Sequence, residues 1–354
     1  MQNNMKKIKF SKAINVALHK AMSIDEKVIC FGLGVNDPKT IFSTTNGLEE
    51  TFGSKRVFDV PTSENALTGI GIGASMNGIK PVMTHQRLDF FLLAMDQLVN
   101  SAAKWHYMFG SQVSIPITIR LILGRGWGQG PTHSQNLQSW FAHIPGLKVV
   151  MPSTPQDAKD LLFNSIFDPN PVIFLEHRWL HNTTGKVSDK FIKKIGKASI
   201  LREGNQITII SMSYLSIESL KAAHYLKSRN IEVEVIDLCS IKPIDWETIF
   251  NSINKTGRVI VCDTGFKTCS VSAEIITEIS SNLFNSLKSS PIRLAMPDVP
   301  EPTSFGLTKG FYIRAGDIAA KCLEMLKQKK GNLLNDLPEP KPHDIPGDWF
   351  KGPF

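Results

Sequence analysis

The sequence predicts an α/β protein built on parallel sheets, and three observations support that fold class. Apolar runs of strand length recur along the chain without polar alternation, as expected for strands covered on both faces. Helical patterns separate these runs, and such alternation is typical of parallel sheets. The length of 354 residues exceeds that of one small core, so we expect two domains.

The first half of the chain supplies most of the predicted strands. They cover residues 27–35, 80–85, 115–123, 147–153 and 171–177. Helical patterns cover residues 90–108 and 154–167. We therefore predict a first domain over residues 1–185.

The second half repeats the pattern on a smaller scale, after a polar segment at 186–206 that we predict to be a linker. Strands are predicted at 207–213, 232–240 and 258–265, with helices near 215–228 and 244–253. These elements predict a second domain over residues 207–330. Residues 331–354 are rich in proline and charge, and we expect this tail to wrap a surface or a partner.

The composition limits the function classes. The net charge of +8 comes from thinly spread lysines, and no run alternates basic with aromatic residues, so we expect no nucleic-acid partner. No apolar run reaches the length of a membrane span, so we expect no membrane association. The five cysteines form no CxxC pair, which argues against disulfides and a zinc cluster and favours a reducing, cytoplasmic environment.

The stretch DVPTSENALTGIGIGASMNG places Glu64 at the start of a run of small and apolar residues. Ser63 suits an N-cap, and an acid in the first turn favours the helix dipole, so Glu64 can be an ordinary helix-start residue. The glycines that follow suit a backbone packed closely against another surface. In that case the carboxylate is buried and needs a specific partner.

A glycine-rich loop, GRGWGQGPTHSQ, follows the predicted strand at 115–123 and ends near His133. Ligands of α/β proteins bind beyond the carboxyl ends of strands, although a lone histidine is more often a structural hydrogen-bonding group.

His85, Arg87 and Asp89 can line a polar pocket or form an ion-pair network. The dinucleotide, P-loop, HExxH and GxSxG motifs are not met.

Several segments together carry a resemblance to a known family. They are KRVFDVPTSENALTGIGIGASMNGIKP, MDQLVNSAAKWHYM, PTHSQNLQSWFAHIPGLKVVMPSTPQDAKDLL, DPNPVIFLEH, VEVIDLCSIKPIDWETI and PDVPEPTS. From about residue 7 to 327 the chain resembles the beta subunit of the thiamine-diphosphate-dependent first component of 2-oxo-acid dehydrogenases. The resemblance implies a transketolase-like pyrimidine-binding domain followed by a smaller transketolase C-terminal domain.

The resemblance also implies roles for individual residues. Glu64 matches the glutamate that hydrogen-bonds N1′ of the cofactor's aminopyrimidine, so that the exocyclic nitrogen can take a proton from thiazolium C2. Phe90 matches the aromatic residue packed on the pyrimidine ring, with Thr62 and Gln86 at neighbouring positions. His133 matches the family's active-site histidine.

A potassium site is implied in the same way. Its ligands would be backbone carbonyls and polar side chains at positions matching Ile117, Ser165, Ile166, Asp168 and Asn170. Hard oxygen ligands suit such an ion. The alternative is an Asp-Pro turn without an ion.

The chain contains no GDG motif, which in the superfamily binds the diphosphate through Mg²⁺. The resemblance therefore implies that this chain holds only the pyrimidine half of the cofactor. A separate alpha chain would hold the diphosphate and Mg²⁺ in an α2β2 heterotetramer in which beta chains also associate. A lipoyl acyltransferase is a further implied partner.

Three departures from the family pattern bear on these expectations. Leu33 replaces an acid of the usual GEEV segment, which puts communication between paired active sites in doubt. The segment HQRLD at 85–89 replaces an apolar one, and with Arg125 and Trp127 it predicts a pocket for a larger or anionic substrate. The tail after residue 328 puts docking on a standard acyltransferase core in doubt.

The favoured hypothesis is a beta subunit that activates the cofactor for oxidative decarboxylation of a 2-oxo acid and acyl transfer to lipoyl. An alternative keeps the cofactor but uses an aldehyde acceptor, as in half of a split transketolase or an acyloin-forming enzyme. A third hypothesis is a non-catalytic scaffold subunit.

Overall fold

Two sheets flanked by helices form the chain, and the predicted α/β class is confirmed. The computed structural model describes residues 5–37, 39–125, 128–329, 331, 333–347, 349 and 350. Within them no helix is long and apolar enough to span a bilayer. The helices are α1 Phe10–Ile24, α2 Thr40–Ser43, α3 Leu48–Phe52, α4 Glu64–Met76, α5 Leu88–Phe91, α6 Ala103–Met108, α7 Gln138–His143, α8 Pro155–Ile166, α9 Tyr214–Lys227, α10 Trp246–Thr256, α11 Val271–Leu283, α12 Ala315–Met325 and α13 Leu333–Asp336.

The larger sheet has the strand order β12-β6-β7-β5-β4-β2-β3 and is parallel except for β12. Its strands are β2 Val28–Gly32, β3 Val57–Asp59, β4 Lys80–His85, β5 Thr118–Leu123, β6 Lys148–Val150, β7 Val172–His177 and β12 Ser240–Lys242. The central strands β5 and β7 are buried along their whole length, which explains their continuous apolar sequences.

The smaller sheet has the order β14-β13-β10-β11-β9 and is parallel except for β9. Its strands are β9 Ser199–Arg202, β10 Ile207–Ser211, β11 Val233–Asp237, β13 Val259–Phe266 and β14 Ile292–Met296. A separate antiparallel ribbon pairs β1 Lys6–Lys9 with β8 Thr184–Val187. The segment predicted to be a linker thus contributes β9 to the second sheet, and β12 of the second half joins the first sheet.

The helical pattern at 90–108 is interrupted. It begins within α5, passes through a 3₁₀ turn at Leu92–Ala94 and a π-helical segment at Gln97–Ala102, and ends in α6. A π-helical turn holds more residues than an α-turn, so it rotates the faces of the following helix. The start of α8 is set by a local contact. The helix begins after Thr154, whose hydroxyl accepts from the backbone N–H of Asp157 at 3.1 Å.

A buried ion pair joins the two central strands of the larger sheet. Arg120 on β5 donates to both carboxylate oxygens of Glu176 on β7, at 2.6 and 3.1 Å, and neither side chain is exposed. Nη2 of Arg120 also donates, at 3.0 Å, to the hydroxyl of Thr44 in the turn after β2. Burial favours a higher pKa for Glu176, but Arg120 and His181 together hold the pKa of this carboxyl below its usual value.

The substitution Glu176→Gln should destabilise the fold by about 3–5 kcal/mol, because it leaves the Arg120 charge buried without its counterion. Urea unfolding at neutral pH measures the effect. The double variant Arg120→Met, Glu176→Leu should recover much of the loss, since it removes both charges. A Glu176→Gln protein as stable as the parent would contradict this account of the pair.

Candidate functional site

The carboxyl ends of the parallel strands β2, β4, β5 and β7 meet at one edge of the larger sheet. In open α/β sheets this edge is where ligands bind. The segments that leave these strands there are residues 33–37, 86–90, 124–137 and 178–181. They contain five of the polar residues named from the sequence: Gln86, Arg87, Asp89, Arg125 and His133.

A cavity of about 350 Å³ lies among these segments. Its lining residues are Asp37, Lys39, Ile41, Phe42, Gln86, Arg87, Phe90, Gln129 and His133. The structure therefore brings together three residues selected through the family resemblance, Gln86, Phe90 and His133. The size is within the range of small-molecule sites.

The aromatic contact of the cavity is between Phe90 and His133. Their ring centroids are 5.3 Å apart at an interplanar angle of 88°, an edge-to-face arrangement that fixes the imidazole against the aromatic ring. The Thr132 hydroxyl lies 3.0 Å from Nδ1 of His133. Because Nδ1 has this neighbour, Nε2 is the ring nitrogen left for exchange of a proton with a ligand.

A glycine permits the close approach of two strand ends at the cavity. Gly34 has φ +75°, and a Cβ atom there would lie 2.3 Å from Nε2 of Gln86. Its backbone N–H donates to Oδ1 of Asp59 at 2.8 Å. A larger residue would be strained at this φ and would also displace Gln86 from the cavity wall.

Glu64 is the first residue of α4, and its side chain is only 5% exposed. Ser63 occupies the N-cap position but makes no capping hydrogen bond with its side chain. Within the described residues the Glu64 carboxylate has no hydrogen-bond or ion-pair partner. The carboxylate oxygens are not among the enclosed unpaired atoms, so they are accessible to a ligand that donates a hydrogen bond. Thr62 is exposed, and neither residue lines the cavity described above.

The glycines of α4 have two different environments. A Cβ atom at Gly71 would lie 3.0 Å from Ile117 and 3.4 Å from Phe31, so this glycine lets the helix pack closely on its own sheet. A Cβ at Gly73 would meet no atom within 4 Å among the described residues. The neighbouring Ile70 side chain is 64% exposed. The face of α4 that contains Gly71 thus packs on the chain's own sheet. The face that contains Gly73 and Ile70 presents small and apolar groups to the exterior.

Of the two alternatives for the segment HQRLD, the polar pocket applies to Arg87, and no described ion pair involves His85, Arg87 or Asp89. Arg87 lines the cavity, and Nη2 of its guanidinium donates to Oε1 of Gln129 at 2.6 Å. Asp89 instead accepts from Gln135 at 2.7 Å. His85 is buried against Phe91, and burial lowers its pKa to about 3, so it is neutral at physiological pH.

Arg125 does not line this cavity. Its guanidinium donates to the carbonyl of Pro302 at 2.7 Å and to Asp344 of the tail at 2.8 Å. The tail therefore packs against the glycine-rich loop and the second domain. Trp127, the other loop residue expected to shape the pocket, lies outside the described residues.

The glycine-rich loop is also braced by a buried glutamate. Glu301 is 1% exposed and accepts from Nδ2 of Asn136 and from the Tyr312 hydroxyl, both at 3.0 Å. Burial raises its pKa to about 8, although the two hydrogen bonds act in the opposite direction. The residue links the loop that carries His133 to the second domain.

The residues expected to bind potassium surround one turn, and several of their oxygen atoms already have partners. The Ile117 carbonyl accepts from the backbone N–H of Val172 at 3.0 Å. Asp168 receives Lys148 Nζ at 2.5 Å and the Asn170 backbone N–H at 2.9 Å. Ser165 donates its hydroxyl to the Leu161 carbonyl at 2.6 Å. The side-chain oxygens of Asp168 and Ser165 are thus engaged within the chain.

Sequence reasoning missed part of the cavity wall. Lys39, Ile41 and Phe42 come from the turn after β2, where residues 40–43 have positive φ values of 44–67°. Such a turn has no periodic sequence signal. The position of Gln129 in GQG after a predicted strand was a usable signal, because it lies on the loop already selected for ligand binding.

Comparisons with known proteins extend over most of the chain. Residues 6–183 match the transketolase pyrimidine-binding domain, and residues 196–318 match the transketolase C-terminal domain. The pyruvate dehydrogenase E1 component subunit beta of Rhizobium meliloti is 39% identical over 300 residues, which cover 84% of this chain and 65% of that protein.

One further relative and one solved structure align over nearly their full lengths. The beta subunit of acetoin:2,6-dichlorophenolindophenol oxidoreductase from Cupriavidus necator is 35% identical, with 92% of this chain and 99% of that protein aligned. A solved structure, the inactive beta4 tetramer of a split-gene transketolase, has a TM-score of 0.74 at 19% identity and covers 91% of this chain and 99% of its own. At that identity it supports the fold.

The raised pKa of Glu301 predicts a pH-dependent stability. Because its folded pKa of about 8 exceeds the usual 4.5, its contribution is fully present below pH 4.5 and is lost as the pH rises through about 8. Relative to Glu301→Gln, the parent should lose up to about 1.4 kcal/mol of unfolding free energy per pH unit across this window. Urea unfolding of both proteins at several pH values measures the difference, and parallel pH profiles would contradict the assignment.

Proposed function

This chain belongs to the transketolase-like, thiamine-diphosphate-dependent family that contains the beta subunits of 2-oxo-acid dehydrogenase first components, and we propose that it is such a beta subunit. Its activity is the activation of the cofactor for decarboxylation of a 2-oxo acid, followed by acyl transfer to lipoyl. The observation that carries the proposal is Glu64, a carboxylate buried at a helix start without a partner among the described residues.

The residues present fit the pyrimidine half of thiamine diphosphate. Glu64 would accept and hold a proton at its carboxylate, and Phe90 would supply the apolar surface beside the ring. Thr62 and Gln86 would hold neighbouring polar groups. When bound, the cofactor supplies a carbon nucleophile and an electron sink for the bond to carbon dioxide.

His133 is suited to proton transfer at the reacting group. Its exposed imidazole is oriented by the edge contact with Phe90 and by the neighbouring Thr132 hydroxyl, so the ring is held in place at the cavity. We propose that it exchanges a proton with the substrate oxygen.

The absence of a GDG motif from the sequence supports a separate alpha chain that holds the diphosphate and Mg²⁺. The exterior face of α4, with Gly73 and Ile70, is a surface of small and apolar groups that suits close packing in an α2β2 assembly. We also propose that two beta chains associate in this assembly. A lipoyl acyltransferase is the proposed protein to which the acyl group is passed on.

An aldehyde acceptor is the second candidate, and one observation favours it. The Cupriavidus necator relative is named as an oxidoreductase of acetoin, which is an acyloin, and this makes an acyloin a candidate reactant or product for this chain as well. The acceptor distinguishes the two functions. A co-purified complex given a 2-oxo acid should acylate a lipoyl-domain protein under the first proposal and release an acyloin from an added aldehyde under the second.

In that complex, Glu64→Gln should lower kcat/KM for a 2-oxo acid at least about 100-fold, because an amide cannot accept and return the proton. An assay with an artificial electron acceptor, with and without thiamine diphosphate, measures the loss. Glu50→Gln is the matched control, since Glu50 is also a first-turn helix acid but is exposed. Full activity of Glu64→Ala would favour the scaffold hypothesis instead.

We also propose the potassium site at the turn of Ile117, Ser165, Ile166, Asp168 and Asn170. The carbonyls of Ile117 and Ser165 and the side-chain oxygens of Asp168 and Ser165 are each hydrogen-bonded within the chain, so the ion would use their remaining lone pairs. An ion bound only to the folded chain should raise Tm by about 2–4 °C when K⁺ at about ten times its dissociation constant replaces Na⁺. Differential scanning calorimetry at constant ionic strength measures this, with choline chloride as the control. Equal Tm values in all three salts would refute the site.

A further inference from the structure

Arg87 is a buried cation at the cavity that forms no ion pair with a described carboxylate; burial lowers the pKa of its guanidinium, and the charge of Asp89 acts in the opposite direction. Its side chain is 5% exposed, and Nη2 is held by the neutral amide oxygen of Gln129 at 2.6 Å. Nη1 is buried and has no hydrogen-bond partner within the described residues, and no carboxylate there lies within ion-pair distance. A guanidinium buried in this state is costly unless an anion completes its hydrogen bonds.

The surroundings add positive charge to this position. Lys39 lines the same cavity and is exposed. Arg178 lies behind the cavity wall, with its guanidinium carbon 4.2 Å from the ring centroid of Phe42. Burial, and then the nearby charge of Arg87, lower the pKa of Arg178 to about 9, so the two guanidinium groups are close enough to repel one another.

Two acids lie near the cavity, and both accept hydrogen bonds from neutral donors rather than from Arg87. Asp37 accepts the backbone N–H groups of Lys39 and Thr40 at 2.8 and 2.7 Å. Asp89 accepts from Gln135 at 2.7 Å. With Lys39 and Arg87 against Asp37, the cavity lining carries two cations and one acid, and the planar fork of an arginine matches a carboxylate or a phosphate.

We propose that this cavity binds a second anionic group of the substrate, a carboxylate or a phosphate remote from the reacting carbonyl, and that Arg87 selects for it. The inference rests on the proposed function, because Phe90 and His133 place the cofactor ring and the reacting group at the same cavity. The substrate class is therefore 2-oxo acids with a charged distal end. A simple alkyl 2-oxo acid would leave Arg87 buried without a counterion.

Two matched pairs of substrates test the inference in the co-purified complex with its alpha chain. 2-Oxoglutarate is compared with 2-oxopentanoate, and 3-phosphohydroxypyruvate with 3-hydroxypyruvate, so that each pair differs in the distal charge. We expect kcat/KM to favour the charged member of at least one pair, and the pair that shows the preference identifies carboxylate or phosphate. Arg87→Gln should reduce that preference roughly ten- to hundredfold.

Variants separate selection from a structural role. Arg87→Lys should retain part of the preference, because the charge remains while the fork is lost. Arg293→Gln, on the edge strand β14 of the second sheet, is the matched arginine control and should leave the preference unchanged. The half-saturating concentration of thiamine diphosphate should stay the same in Arg87→Gln; a large rise with unchanged substrate preference would assign Arg87 to the cofactor's diphosphate and overturn the inference.

A binding measurement makes the test independent of turnover. Orthophosphate and succinate should raise the Tm of the parent complex in a saturable way, relative to chloride at equal ionic strength, and this rise should be lost in Arg87→Gln. Arg87-dependent stabilisation without turnover of any 2-oxo acid would refute the proposed function but keep the anion site. Turnover with equal preference in both proteins, and no Arg87-dependent stabilisation, would refute the inference alone.

Discussion

The cavity wall depends on the buried Arg120–Glu176 pair. Arg120 spans from the β7 carboxylate to the Thr44 hydroxyl, and so ties the turn that carries Ile41 and Phe42 to the centre of the sheet. The same carboxylate is 3.1 Å from Nε2 of His181. Burial lowers the pKa of His181 to about 4, so the neutral ring donates from Nε2 and Nδ1 accepts from Arg178. One ion pair thereby positions both the cavity wall and the cation behind it.

The loop that carries His133 has a second support, from residues far away in the sequence. Arg125 near its start binds the Pro302 carbonyl and Asp344, and Asn136 at its end binds Glu301. Glycine-rich segments have high conformational entropy, so a loop of this composition needs such contacts to keep the His133 side chain in place. The second domain and the tail therefore contribute to the site without lining the cavity.

Sequence reasoning was strongest where structure is local. The strands at Val28–Gly32 and Thr118–Leu123 follow from continuous apolar runs. Three residues selected through the family resemblance, Gln86, Phe90 and His133, meet at one cavity, whereas Glu64 and Thr62 do not line it. Sequence reasoning was weakest where pairing is long-range. Ser199–Arg202 and Ser240–Lys242 are short strands whose sheet is decided by partners elsewhere in the chain, and no periodic pattern of three or four residues specifies that choice.

Two buried charges of opposite sign, Glu64 and Arg87, share one chain without forming a pair. Selection for stability alone would give each charge a counterion or replace the residue with an apolar one. Burying an unpaired charge costs more folding free energy than either alternative. Both lie at the start of helical segments that follow the strand edge, where ligands bind in this fold. The carboxylate is suited to a group that donates a proton and the guanidinium to one that is negatively charged. The proposed function and the proposed anion site assign these two groups to a nitrogen heterocycle and an anionic substrate, respectively.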